Sequence, residues 1–414
     1  MPEYLRLPVI PLALSLTLAA CVDSGTGGSD SQPATGDNFD FTSMFVNYAD
    51  NIILPNYAAV AELAAPLGTS SGSIASYCES IASTEESAAR ESAGSQWENL
   101  MDAVQATEMH LFGPALDNNS SLTYRLNSSA AGELSLCGVD QALVQASEDS
   151  SFSISSKTVV QRGIGAVEYL LFSEDLNHHC PSQIAETADW DARPDDEKKR
   201  LRCDYAITIA QDIADAAETL HDAWSSTSGD YRSRFVDPAN VSDSLTALSD
   251  ALFYLDLDVK DRKLGVPIGI NDGCPGISCP DAVESPYREY SLAGIRANLL
   301  AFGTLMTGAD GLGFDDLIDA AGMPELNRRF TDHTAIAVAV IDNSNDSLVT
   351  QAAALDTSAQ ETECINAFAN PDFVGEFPAC NLLGHIKALT DDLKVGFVAA
   401  INVDLPDRAQ TDND

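Results

Sequence analysis

Val160-Gln161-Arg162-Gly163-Ile164-Gly165-Ala166-Val167-Glu168-Tyr169-Leu170-Leu171-Phe172 decides the fold class. Val160, Ile164, Val167 and Leu171 recur at steps of 4, 3 and 4, which lays them along one side of a helix with 3.6 residues per turn. The same rhythm returns in Leu54, Tyr57, Ala61 and Ala64, in Trp97, Met101, Val104 and Leu111, and in Ala206, Ile209, Ile213, Ala216 and Leu220. Sustained alternation of period two is missing, so the reading is all-α, with long amphipathic helices packed as two helical-bundle domains.

Working outward, loops fall at the Gly, Pro and Asn clusters around residues 114–119, 178–196, 225–240 and 266–287. The polar stretch Ser225 to Asn240 holds Gly229 and Pro238 and divides the helical part nearly in half. It predicts an N-terminal bundle over 41–236, a C-terminal bundle over 237–405 and an acidic tail over 406–414. Ala166-Val167-Glu168-Tyr169-Leu170-Leu171 and Ala251-Leu252-Phe253-Tyr254-Leu255-Asp256 echo one another, which fits a duplicated bundle.

The chain has 414 residues, 45% of them apolar, enough to bury a large core. Its 63 acidic residues against 22 basic ones give a net charge of −41. Such a field repels phosphate polyanions, excludes nucleic acid as a partner and disfavours self-association at low salt, so a monomer is expected. The acidic excess fits a salt-adapted surface, as does the scarcity of lysine at seven of the 22 basic residues, and it fits equally a surface that attracts Fe²⁺, Fe³⁺ or Ca²⁺.

The run from Leu7 to Ala20 is too short to span a bilayer, and it ends Leu18-Ala19-Ala20-Cys21. It resembles a bacterial lipoprotein signal peptide (1–20), which implies a lipidated Cys21, a Gly- and Ser-rich tether over 21–40 and, because Val22 follows the cysteine, the outer membrane facing the periplasm. Eight further cysteines fit an exported protein. Pairing of neighbours in the chain predicts Cys78 with Cys137, Cys180 with Cys203, Cys274 with Cys279 and Cys364 with Cys380; no Cys-x-x-Cys spacing favours zinc.

For chemistry, the 4-3 rhythm of Trp97, Met101, Val104 and Leu111 puts Glu108 on an apolar face, where a carboxylate needs a cation or a structural partner such as Arg125 or Arg162. Gln161, Gly165 and Glu168 are spaced to share a second helix face. Glu108 and Glu168 on neighbouring bundle helices make a candidate metal site, with Arg162, Gln161, Gly165 and Arg125 behind them. His178 and His179 read as solvated, the acidic run Asp256, Asp258 and Asp261 as surface, and His110 as structural.

Arg162 to Phe172 resembles the signature of the imelysin family, in which Gly-x-His-x-x-Glu precedes Tyr-Leu-Leu-Phe. Leu54-Pro55-Asn56-Tyr57, Glu108-Met109-His110-Leu111-Phe112-Gly113-Pro114 and Cys203-Asp204-Tyr205 with Trp224 follow the same family order, as do Asp261 to Gly269 and Glu284 to Leu292. The resemblance covers about residues 41 to 405. It implies an exported two-bundle protein linked to iron uptake, a metal ion or iron-linked ligand, envelope iron-uptake partners, and a metallopeptidase activity resting on the motif. Gly163 and Glu168 match its ends, but Gly165 stands where the histidine belongs. Glycine neither binds metal nor moves a proton, so the expectation is a non-catalytic binder of iron, with Zn²⁺ or Ca²⁺ less favoured. A metallopeptidase, or a scaffold whose metal site is lost, are the alternatives.

Overall fold

The computed structural model describes residues 39–225 and 228–410, so the signal peptide, Cys21 and nearly all of the tether lie outside the described residues, as do the last four residues of the acidic tail. The described residues are helical and turn segments without a strand. The first helix, Phe41–Asn47, runs through the wider turns of Tyr48–Ile53 into α1, Leu54–Leu67. Then come α2 (Ser73–Ser80), α3 (Glu86–Thr107), α4 (Leu136–Glu148), α5 (Ile164–Phe172) and α6 (Asp195–Trp224). The second half holds α7 (Val241–Leu252), α8 (Ser291–Thr307), α9 (Pro324–Asp342), α10 (Ser358–Ala369) and α11 (Pro378–Asp392).

Local chemistry explains the boundaries. Asp195, Asp196 and Glu197 fill the first turn of α6, where carboxylates offset the positive end of the helix dipole. Pro324 and Pro378 open α9 and α11 at the position that lacks an amide partner anyway. The stripe Ala206, Ile209, Ile213, Ala216 and Leu220 is fully buried, and α6 packs it against α1 and α5. In the second half α11 packs on α9 and α10, while α8 packs on α9. Helix α3 joins the halves by packing on both α1 and α8, and one apolar core runs through the described chain.

Two predicted stripes are shorter than their periodicity. Helix α5 starts at Ile164, because Val159–Gln161 is a 3₁₀ turn, Arg162 is extended and Gly163 takes φ +90°, which favours glycine. Val160 and Gln161 therefore lie outside the helix, and Gln161 does not share a helix face with Gly165 and Glu168. Likewise α3 ends at Thr107 and Glu108–His110 is a 3₁₀ turn, although Glu108 is still buried.

Among the described residues the disulfides are Cys137–Cys180, Cys274–Cys279 and Cys364–Cys380. Two of the expected pairs, Cys78 with Cys137 and Cys180 with Cys203, are thus overturned. Chain proximity misleads here because α4 carries Cys137 to the loop of Cys180, whereas Cys78 on α2 meets Cys203 on α6 as a thiol hydrogen-bond neighbour.

Candidate functional site

The signature segment is held from both ends. Gln161 caps its own turn, its Oε1 accepting from the amide and hydroxyl of Thr158 at 3.0 Å, while its Nε2 donates to the Gly138 carbonyl at 2.9 Å. At the start of α5 the Trp97 indole donates to the Ile164 carbonyl at 3.0 Å. On the far side the Tyr169 hydroxyl donates to Asp140 at 2.8 Å and lies 2.9 Å from Nδ1 of His179, with Arg202 over its ring. His179 is therefore bonded into the fold, not simply solvated. His178 is bonded too, since its Nδ1 accepts from the Cys180 amide at 3.0 Å.

Between these anchors sit Gly165 and Glu168. Gly165 is half-buried, and a Cβ added to it would meet no heavy atom within 4 Å. A side chain could therefore start from this position without a clash at its first carbon, and no neighbouring helix uses the glycine for close approach. One turn on, Glu168 is 1% exposed, and its carboxyl accepts the amides of Tyr287 and of Arg288, the latter at 2.8 Å. Burial pushes this carboxyl up to about 8 against the pull of those amides, and nearby Glu284 adds to the rise. At neutral pH it is mostly protonated, so a cation that binds there must displace a proton.

Glu108 lies in a second cluster. Its Oε1 accepts from Asn127 at 2.8 Å; its Oε2 accepts from Lys263 at 2.5 Å and from Asn298 at 3.2 Å. The Lys263 ammonium, from the π-helical segment Leu255–Gly265, also reaches Gln105, Asn298 at 3.1 Å and Glu284 at 3.2 Å. Four side-chain oxygens thus surround one buried ammonium, as they would surround a hard cation. Burial pushes the Glu108 carboxyl up despite Lys263. Burial also raises Glu284, but Lys263, Asn127 and Arg262 outweigh it and hold that carboxyl below its ordinary value. Glu284 faces both glutamates electrostatically and is the link between the two clusters.

The remaining candidates gather elsewhere. Arg125 lies 2.7 Å from the buried Asp212 carboxylate and Arg162 lies 3.3 Å from it, so both arginines serve Asp212 and neither serves Glu108. His110 is fully buried, its Nε2 is 3.1 Å from Asn56 Nδ2, and burial lowers it to about 4. Asp256 departs from its surface reading, being fully buried 3.0 Å from Lys260 and 3.1 Å from Lys394.

Sequence reasoning missed Lys263, Glu284 and Arg288 as site residues. All three stand inside the matching segments of the second half, but no periodicity in the first half points to them. Among the described residues no group of three or more His, Cys, Asp or Glu side chains is assembled to hold a metal, and no helix is long and apolar enough to cross a membrane.

Two solved structures share the fold. An imelysin-like protein from Psychrobacter arcticum 273-4 matches with TM-score 0.62 and 15% identity over 88% of this chain and 98% of that one. A putative iron-regulated protein A precursor from Parabacteroides distasonis ATCC 8503 matches with TM-score 0.58 and 13% identity over 87% of this chain and 97% of that one. No curated protein is significantly similar. The imelysin family model matches residues 53–371, more than half of the sequence and both site clusters, and the chain therefore belongs to the imelysin family.

Proposed function

We propose that this imelysin-family protein is an envelope lipoprotein, anchored through Cys21 to the outer membrane, that binds iron or an iron-linked ligand at the Gly165–Glu168 turn without hydrolysing peptides. One observation carries the reading: a glycine with open space around its Cβ position where the family has histidine, one turn from a buried carboxyl with its pKa at about 8. A binding site needs a group that responds to charge, which Glu168 supplies, and the bare Gly165 leaves the adjoining turn uncrowded. A peptidase of the family type needs the imidazole as well, and Gly165 cannot supply it. The iron-regulated name of the Parabacteroides relative supports the iron assignment. Other envelope iron-uptake proteins are the partners this reading expects.

The test is a calorimetric titration of the mature protein with Fe²⁺ in high salt, which suppresses diffuse attraction to the acidic surface. Binding lost in Glu168→Gln supports the reading, and unchanged affinity removes Glu168 from the site. Proteolysis abolished by a chelator and restored by zinc would instead revive the peptidase.

A specific observation favours a second reading. Lys263 occupies an oxygen cradle suited to a cation, as expected of a scaffold that replaced its metal with an internal ammonium. Under that reading no iron binds, and the protein works through contacts with envelope partners.

A further inference from the structure

Far along the chain from the signature, α9 and α11 pack together and bring two histidines face to face. Nδ1 of His333 and Nδ1 of His385 lie 3.2 Å apart, with ring centroids 5.5 Å apart and planes 45° from parallel. His385 is 5% exposed, whereas His333 is partly open to solvent. As they stand, one ring donates its Nδ1 proton to the lone pair of the other. The bidentate pair Arg329–Asp392, at 2.8 and 2.7 Å, ties the same two helices together.

The separation has a second meaning. A tetrahedral ion with metal–nitrogen bonds of about 2.0–2.1 Å holds two imidazole nitrogens about 3.3 Å apart. We propose that His333 and His385 form a two-nitrogen site for a late divalent transition ion, Cu²⁺ or Zn²⁺, distinct from the Gly165–Glu168 turn. Binding requires no net loss of protons: the ring that carries its hydrogen on Nδ1 moves it to Nε2, and both Nδ1 lone pairs then face the ion. Burial and the neighbouring His333 lower the proton affinity of His385, while the carboxylate of Asp372 opposes them. The ring is therefore neutral, and available as a ligand, at neutral pH. Asp372 also places a negative charge near the ion. No third side-chain ligand is assembled among the described residues, so water completes the shell.

Imidazole nitrogens favour Cu²⁺ over other first-row divalent ions, which makes Cu²⁺ the sensitive probe. The mature protein titrated with Cu²⁺ at pH 7.5 should show a saturable site whose electron paramagnetic resonance spectrum carries coupling to two nitrogens, and Zn²⁺ should compete for it. His333→Ala, at the more exposed position, should weaken Cu²⁺ at least about tenfold, one of two nitrogen ligands having gone. His385→Gln should do the same; if it does not fold, His333→Ala decides. The coupling to two nitrogens reports this site alone, since the Gly165–Glu168 turn offers oxygen and no imidazole, and that separates it from the proposed iron site. No saturable Cu²⁺ binding, or binding unchanged in His333→Ala, overturns the proposal.

Discussion

The ammonium of Lys263 lies 2.5 Å from Oε2 of Glu108, with both side chains withdrawn from solvent, so the carboxylate picked out by its place on an apolar face already holds an internal cation. The pair joins the second half of the chain to the end of α3. It also means that Glu108 is closed to an external metal unless Lys263 withdraws.

Removing Lys263 leaves Glu108 and Glu284 buried without their shared counter-charge. Lys263→Met should destabilise the protein by about 3–5 kcal/mol, the range seen when one partner of a buried pair is lost. Adding Glu108→Gln to Lys263→Met should recover part of that loss. Chemical denaturation of the three proteins checks this, and an unaffected Lys263→Met midpoint would contradict the pairing.

Glu168 makes stability depend on pH with a definite sign. Its folded carboxyl titrates at about 8 and its ordinary value is 4.5, so the folded state holds a proton that the unfolded state has lost in between. The stabilisation is complete below about pH 4.5 and is lost as pH rises towards 8, by about 1.4 kcal/mol per pH unit at most. Glu168→Gln, which mimics the protonated acid, should therefore gain stability relative to the native protein as pH climbs through that window. Parallel unfolding curves at pH 5 and pH 8 test it; a constant difference would contradict the burial assigned to this carboxyl.

Gly165→His should fold normally, since its Cβ meets no heavy atom within 4 Å and it replaces a residue of poor helix propensity on a helix. Its melting temperature should stay within a few degrees of the native value. A collapse in stability would show that the space is needed empty.

In the mature protein, whose Cys21 sulfur is blocked by lipid under the proposed anchoring, Cys78 and Cys203 should appear as two thiols on denaturation with the three disulfides intact. In the native state Cys203 should resist alkylation, because it is fully buried and burial pushes its thiol far up. Mass spectrometry after native and denaturing alkylation separates the two cases. Rapid native labelling of Cys203 would contradict the packing of α2 on α6.

What the sequence made legible, and what it hid, follows from the range of the interactions. Helical stripes such as Ala206 to Leu220 are local, and periodicity alone found them. The burial of Glu108 was legible for the same reason, although α3 stops one residue short of it. Its partner was not, because Lys263 comes from 155 residues further on and only packing of the second half brings it there. The arginines chosen for Glu108 went instead to Asp212, which lies on α6 between buried Ile209 and Ile213 and carries an equal signal that was not read. Chain proximity found the disulfides that close short loops and failed for those that depend on helix packing.

The most direct test of the central claim is titration of the mature protein with Fe²⁺ at pH 7 and pH 8 in high salt, beside Glu168→Gln. If the Gly165–Glu168 turn binds iron, one saturable site appears, tightens with pH as the Glu168 proton becomes easier to displace, and vanishes in the variant. Iron binding of equal affinity in the native protein and Glu168→Gln, or none in either, would contradict it.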